Sequence, residues 1–503
     1  MTPAVTVRMR DYLLLYVNGQ RHEVRGADAF LTLSDFVRER LRLTGTKIVC
    51  AEGDCGACTV LVGRPRGTRL RYLPVDSCIC FVYQVDCCHV VTVEGLTPGR
   101  RDGGPLHPVQ DAMVRHHGSQ CGFCTPGIVM ALAGAFETEG GRRRAQRLDA
   151  QALRVALSGN LCRCTGYVQI IEAGESIDPS AVPPLAQLYP ERAIAADLEG
   201  AASQPVAIRT VRGNDSMELF APRTLEDAIV FKAGHPDAAV VSGATDLGVQ
   251  HNKGLRVPRV VLDLSHVEGL SDVIAADGML RAGAAATWTA IGEMVEDLVP
   301  EFYRIISLFG SPQIRNAGTI GGNIVNGSPI ADSLPFLFVT NAEVEIAGPT
   351  GRRRVALTRL YRGYKEPDLA PDELVTEVRV PLPRHGEMLR LYKVSKRRDM
   401  DISTFTAGVL MRTSADGTIE WARVALGGVG PVVLRLARTE QWLAGRPLTE
   451  DSMRAAGRLA AQEISPISDV RGQARYRRRL AENILVKFYH DTCPVAAGWG
   501  PGQ

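Results

Sequence analysis

The sequence predicts a multidomain α+β chain: a small β-rich domain, a helical domain, an α/β region and a mixed α+β C-terminal part. Three observations predict this order. Eleven of the twelve cysteines fall between Cys50 and Cys164, eight of them in two groups of four. Residues 13–25 alternate in polarity around Asn18-Gly19, a strong hairpin signal. Beyond residue 213, strand-like and helix-like runs alternate around glycine-rich turns.

The first cysteine group reads Cys50-Ala-Glu-Gly-Asp-Cys55-Gly-Ala-Cys58, with Cys78 as its distant fourth member. The second reads Cys121-Gly-Phe-Cys124 and Cys162-Arg-Cys164. In a two-iron, two-sulfide cluster each iron takes two thiolates, so each cluster needs four cysteines in two close pairs. C-x4-C-x2-C followed by a distant Cys is the plant-type ferredoxin spacing. Glycines suit that loop, because backbone amides wrap the sulfides only where side chains leave room. Structural zinc is the rival for such pairs, although zinc pairs usually come as similar C-x2-C hairpins. Disulfides would require an oxidising compartment, and residues 1–10 lack the apolar run of an export signal.

Residues 1–97 predict the β-rich domain. After the hairpin, Ser34 offers a cap to a helix carrying Phe36, Val37, Arg40 and Leu41. The cysteine loop leads into a strand at residues 59–62. A second strand at 71–75 runs to Cys78, and 90–93 closes the domain in ferredoxin-like β-grasp order. Cys80, Cys87 and Cys88 read as plain thiols, with Asp86-Cys87-Cys88 at a hairpin tip where glycine is more usual.

Residues 98–176 predict four helices. His107-Pro108-Val109-Gln110 starts the first, with proline in its first turn, and Thr125-Pro126-Gly127 starts the second. Residues 148–157 form the third, and Thr165-Gly166-Tyr167 opens the fourth. The second cysteine group thus lies in loops entering the second and fourth helices, whose amide ends suit an anionic cluster. Residues 177–213, rich in proline and small residues, read as an extended tether, or as a peptide draped over another domain.

Residues 214–383 predict an α/β domain. A helix at 225–232 precedes a buried strand at 238–241, which runs into Ser242-Gly243-Ala244-Thr245-Asp246-Leu247-Gly248. A strand ending in such a turn exposes amides to a phosphate. Ala317-Gly318-Thr319-Ile320-Gly321-Gly322-Asn323 is a second glycine-rich loop. Neither has the G-x-G-x-x-G form, so a Rossmann dinucleotide site is not supported. Residues 384–495 carry the charged run at 396–401 and a last long helix. Cys493 reads as an incidental thiol.

Apolar content of 45% and charged content of 22% are ordinary for globular chains. A net charge of +3 is too small to argue for nucleic acid or an anionic membrane. No apolar stretch approaches the roughly 20 residues of a membrane span. Arg142-Arg143-Arg144 reads as a solvated helix end, and the cysteine usage suits a reducing cytoplasm.

Gly118-Ser119-Gln120-Cys121-Gly122-Phe123-Cys124-Thr125-Pro126-Gly127, with Gly159-Asn160-Leu161-Cys162-Arg163-Cys164-Thr165-Gly166-Tyr167, resembles the second iron–sulfur domain of the molybdenum hydroxylases, the family of xanthine dehydrogenase and aldehyde oxidase. Thr92-Val93-Glu94-Gly95-Leu96 matches too, and its spacing makes Cys78 the family's fourth ligand of the first cluster. Ser242 to Leu247 and Thr319 to Asn323 resemble the family's two flavin loops. Tyr392-Lys393-Val394 onward to Ser403, and Ile467-Ser468-Asp469 onward to Arg477, resemble its C-terminal FAD-module domain.

The resemblance implies two 2Fe–2S clusters, at Cys50, Cys55, Cys58 and Cys78 and at Cys121, Cys124, Cys162 and Cys164. It implies FAD, with the pyrophosphate on Val240, Val241, Ser242, Gly243, Ala244, Thr245, Asp246 and Leu247. Thr319, Ile320, Gly321, Gly322, Asn323 and Asp332 would line the rest, with Phe309 near the ring and Val375 and Lys393 as further contacts. Ala244 stands where many relatives carry glycine, so its methyl is expected to be tolerated only at negative φ. The family's order ends in a molybdopterin domain that this sequence lacks. The implied protein is the small subunit of a xanthine dehydrogenase-type enzyme, in a dimer of heterodimers with a large molybdopterin-binding subunit. No catalytic residue is expected here: electrons would pass from molybdenum through both clusters to FAD and on to NAD. A related subunit serving an aldehyde or another N-heterocycle, and a stand-alone NADH-linked iron–sulfur flavoprotein, are the alternatives.

Overall fold

The computed structural model describes residues 9–98, 105–137, 147–213 and 215–493. The arginine run at 142–144 lies outside them. The chain forms two compact units, one of residues 1–270 with 310–319, the other of 271–309 with 320–503.

In the first unit the hairpin forms as expected. Strands Leu13–Val17 and Gln20–Val24 meet at Asn18 and Gly19, with φ of +49° and +80°. Positive φ at both central residues gives the turn whose twist matches its strands. Strands Thr59–Arg66, Arg69–Asp76 and Cys88–Val91 complete a five-stranded sheet in which Leu13–Val17 and Cys88–Val91 run parallel. This is the β-grasp arrangement. Two local expectations differ. Thr32, not Ser34, caps the first helix, because its backbone is extended and its Oγ1 accepts from Asp35 N at 3.2 Å; Ser34 is buried inside the first turn. Cys87 has the glycine-like φ of +54°, but it follows a single helical turn, Val82–Val85, rather than tipping a hairpin.

Helices Pro108–Arg115, Thr125–Phe136, Ala150–Ala156 and Val168–Ser176 are the four expected. His107 and Gln110 form a reciprocal capping box on the first. The second is apolar nearly all round, and its buried Ile128, Val129 and Leu132 share one core with the sheet residues Leu14, Leu61 and Val91.

The stretch 177–213 is not an extended tether. Helix Glu191–Ala202 buries Ile194, Ala195 and Leu198 in that same core. Asp197 accepts from Tyr16 Oη at 2.8 Å, and Glu191 from Leu70 N at 3.0 Å. The draped-peptide alternative is the one realised: Ile194, Ala195, Leu198 and Ala201 lie at helical spacing on one buried face, a period masked by the flanking prolines. Strand Val206–Arg212 then pairs with Asp215–Ala221, and Val260–Asp263 and Ala239–Val241 complete a four-stranded sheet.

The second unit holds an antiparallel five-stranded sheet, with Leu374–Pro381 at its centre, and an antiparallel four-stranded sheet of 387–435. The long helix Ala474–Thr492 buries Ala481, Ile484, Leu485 and Phe488 in the core shared with the latter sheet. The second glycine-rich stretch is not a loop throughout, since helix Ile320–Asn326 begins inside it. Gly321 permits this: a Cβ there would lie 2.6 Å from the Ala284 carbonyl.

Candidate functional site

The first unit brings both cysteine groups together. The Cys50 sulfur lies within hydrogen-bonding reach of those of Cys55 and Cys78, and Cys58 within reach of Cys78. Cys80 stands apart; its thiol donates to the Phe81 carbonyl at 3.7 Å, and burial pushes it up to about 12. The loop turns its amides on the sulfurs, with Glu52 N and Asp54 N at 3.4 and 3.5 Å from Cys50 Sγ. Hydrogen bonds from its thiol neighbours, then these amides, hold the Cys50 thiol far below its ordinary range. In the second group Cys164 Sγ lies 3.5 Å from Cys121 Sγ, and Cys124 is within reach of Cys162. Helix Thr125–Phe136 starts directly after Cys124, and helix Val168–Ser176 starts four residues after Cys164.

No three His, Cys, Asp or Glu side chains among the described residues are arranged around a single ion. The cysteines instead associate as sulfur pairs within groups of four, with backbone N–H groups aimed at thiolates. That donor set fits a two-iron cluster, which asks for two thiolates at each iron. The groups differ in exposure. Cys58 and Cys78 are buried, whereas Cys121 and Cys164 are exposed. Phe123, Leu161 and Val168, beside the second group in sequence, are 48%, 40% and 60% exposed. The backbone N–H of Leu161 donates to the Cys55 carbonyl at 2.9 Å, joining the two loops.

The first glycine-rich loop also belongs to this unit. Val241 is buried at the end of its strand and Val240 is exposed. The Ser242 carbonyl accepts from Gln84 Nε2 at 2.7 Å and Ser265 Oγ at 3.3 Å. A Cβ at Gly243 would lie 2.1 Å from the Ala317 carbonyl. Ala244 has φ +53°, against the expectation of a negative value. The turn into helix Leu247–Asn252 demands it, for the Ala244 carbonyl accepts from Gly248 N at 2.7 Å. Thr245 is half-buried and Asp246 exposed, the latter accepting from Gln250 Nε2. Thr319 closes the segment 310–319 and is buried.

In the second unit Asn323, Asp332 and Lys393 come together. Lys393 Nζ lies 2.7 Å from Asp332 Oδ2, Ser403 Oγ donates to Asp332 Oδ1 at 2.6 Å, and Ser333 Oγ donates to Asn323 Oδ1 at 2.6 Å. Burial pushes the Asp332 carboxyl up, opposed by Lys393 and Ser403. Phe309 caps a helix with its ring edge-on to Trp288, and Val375 is buried in the core. Ile320 and Gly321 are buried, and Gly322 is exposed. Ser403, Gln84 and Ser265 were not singled out by sequence reasoning. Only Ser403 carried a signal, the match of its motif.

Four family models match the chain in order: "2Fe-2S iron-sulfur cluster binding domain" over residues 15–82, "[2Fe-2S] binding domain" over 92–175, "FAD binding domain in molybdopterin dehydrogenase" over 215–383, and "CO dehydrogenase flavoprotein C-terminal domain" over 390–492. Aldehyde oxidase 1 of Bos taurus is 30% identical over 97% of the chain, and xanthine dehydrogenase of Drosophila subobscura 30% identical over 95%. The chain spans 40% and 39% of these two relatives. Among solved structures, the carbon monoxide dehydrogenase from Hydrogenophaga pseudoflava is 27% identical with a TM-score of 0.52, over 54% of this chain and 95% of that one. Quinoline 2-oxidoreductase from Pseudomonas putida 86 is also 27% identical, with a TM-score of 0.50, over 54% and 94%. No helix among the described residues is long and apolar enough to cross a membrane.

Proposed function

The chain belongs to the molybdenum hydroxylase family, and on that premise we propose that it is the electron-transfer subunit of a cytoplasmic, xanthine dehydrogenase-type enzyme. Cys50, Cys55, Cys58 and Cys78 hold one 2Fe–2S cluster, and Cys121, Cys124, Cys162 and Cys164 the other. The 240–247 loop binds the FAD pyrophosphate, as its resemblance to the family's flavin loop implies. The clusters supply one-electron carriage and the flavin couples it to two-electron chemistry with NAD, while the protein fixes positions and potentials.

One observation carries this reading. Cys121 and Cys164 of the second cysteine group are exposed, and the large apolar side chains Phe123, Leu161 and Val168, near it in sequence, face solvent. Exposed apolar side chains around a redox centre suit a protein partner better than free diffusion. That partner is the large molybdopterin-binding subunit, in a dimer of heterodimers.

The test is an anaerobic absorbance titration of the complex that the chain forms in its own cells. Xanthine should bleach both the iron–sulfur and flavin bands, and NAD should restore them. Bleaching by NADH but not xanthine would keep the electron-transfer role and assign another substrate, such as an aldehyde or N-heterocycle. Bleaching by neither would overturn the flavin assignment.

A further inference from the structure

Gly56 lies inside the first cysteine loop, between Cys55 and Cys58. Its carbonyl accepts three hydrogen bonds: from Thr59 N at 3.1 Å, Thr59 Oγ1 at 2.6 Å and Asn160 Nδ2 at 3.0 Å. Gly56 has φ +64°, and a Cβ there would lie 2.4 Å from the Gly159 carbonyl and 2.5 Å from Asn160 Nδ2. The Gly56–Ala57 peptide is therefore clamped in one orientation. In a trans peptide the carbonyl and the following N–H point opposite ways. Drawing the Gly56 carbonyl toward Asn160 turns the Ala57 N–H the opposite way, and this N–H acts to lower the Cys55 thiol against the stronger upward push of Cys50.

Asn160 is itself braced. Its Oδ1 accepts from Gln313 Nε2 at 2.9 Å, and the same Nε2 reaches Thr59 Oγ1 at 3.2 Å. Thr59, Asn160 and Gln313 are 1%, 3% and 1% exposed. Gln313 Oε1 has no hydrogen-bond partner among the described residues, so this amide is turned to donate and its acceptor goes unused. A buried polar group left so is costly, which singles out the donor arrangement as the one the packing enforces.

We propose that Asn160, braced by Gln313 and working with Thr59, is a positioning residue that sets the reduction potential of the first cluster through the Gly56–Ala57 peptide. The proposal rests on the reading that Cys50, Cys55, Cys58 and Cys78 hold a 2Fe–2S cluster. Hydrogen bonds to cluster sulfurs are one of the levers that set its potential. They favour the reduced, more negative state and so raise it. Asn160 comes from the loop that carries Cys162, and Gln313 from the segment 310–319. The first cluster's potential therefore depends on two segments that supply none of its ligands.

The test is a potentiometric titration of the intact holoprotein, followed by the separate EPR signals of the two clusters. Asn160→Leu and Thr59→Val remove donors to the Gly56 carbonyl without adding charge. In each, the first cluster's share of an electron should fall by up to about tenfold, about 59 mV for a one-electron couple. Thr59→Ser keeps the hydroxyl and should leave the potential as in the wild type. The second cluster should not move in any of the three. Unchanged first-cluster potentials in both Asn160→Leu and Thr59→Val, at full iron content, would overturn the proposal. Loss of the first cluster from both variants would also overturn it, in favour of a purely structural clamp. A wild-type protein with no cluster signals would instead remove the cluster reading on which the proposal stands.

Discussion

The two cysteine groups use the same ligand chemistry in opposite settings. The first sits at the ends of the paired strands Thr59–Arg66 and Arg69–Asp76, with Cys58 and Cys78 buried and its loop clamped by side chains from elsewhere in the chain. The second lies between helix starts, with Cys121 and Cys164 exposed and Phe123 in the open. Burial shields a centre that exchanges electrons only within its own chain. Exposure suits a centre that must meet a partner. On the function proposed above, the second group would be the entrance and the first the relay.

The sharpest way to break that assignment is to remove one cluster at a time. Cys162→Ser should abolish one iron–sulfur signal and flavin reduction by substrate, yet leave flavin reduction by NADH. Cys55→Ser should abolish the other signal and also keep NADH reduction of the flavin. Substrate-driven flavin reduction that survives in Cys162→Ser would dissolve the comparison. Next in size is Gly56→Ala. Its Cβ would meet backbone at 2.4 Å in a left-handed conformation, a collision no rotamer relieves. The expected result is loss of the first cluster with the second retained, read from iron content and EPR. Phe123→Asp should act only at the exposed group, weakening association with the large subunit by about 2 kcal/mol or more, as truncating an interface anchor does. Co-purification and the Kd of the reassembled complex measure it. Cluster content in the isolated chain should not change.

The same contrast explains what the sequence made legible. Cysteine spacing marks both groups, because two thiolates per iron impose close pairs on the chain. The hairpin at Asn18-Gly19 and the proline-led helices were equally legible, since each rests on local backbone preference. The clamp on Gly56 was not. Asn160 is 104 residues away and Gln313 is 254 residues from Thr59, and an amide carries no local pattern. The helix at 191–202 was hidden by the prolines around it. Ile320–Asn326 was hidden by its two glycines, of which Gly321 packs so closely against Ala284 that no side chain would fit. Exposure of Cys121 and Cys164 was not legible either, because an apolar neighbour such as Phe123 or Leu161 carries no local sign of whether it is covered.

The smallest effects test the loops themselves. Gly122, in the second cysteine group, has φ +82°, as left-handed as Gly56, but a Cβ there would meet only Ser119 Oγ at 3.8 Å. Gly122→Ala should therefore cost only the conformational term, about 1 kcal/mol, and keep its cluster. Thermal unfolding with an iron assay separates this from the cluster loss expected at Gly56. Ala244 is the reverse case: a side chain held at φ +53° in the first glycine-rich loop. Ala244→Gly relieves about 1 kcal/mol of left-handed strain, but it also frees the unfolded chain, which returns part of the gain. The net stabilisation should be a few tenths of a kcal/mol, with flavin content unchanged. A large gain would mean that the Ala244 turn is strained beyond its backbone dihedral. A loss would mean that the methyl, packed at the edge of the sheet core with Leu247, contributes more by burial than it costs by conformation.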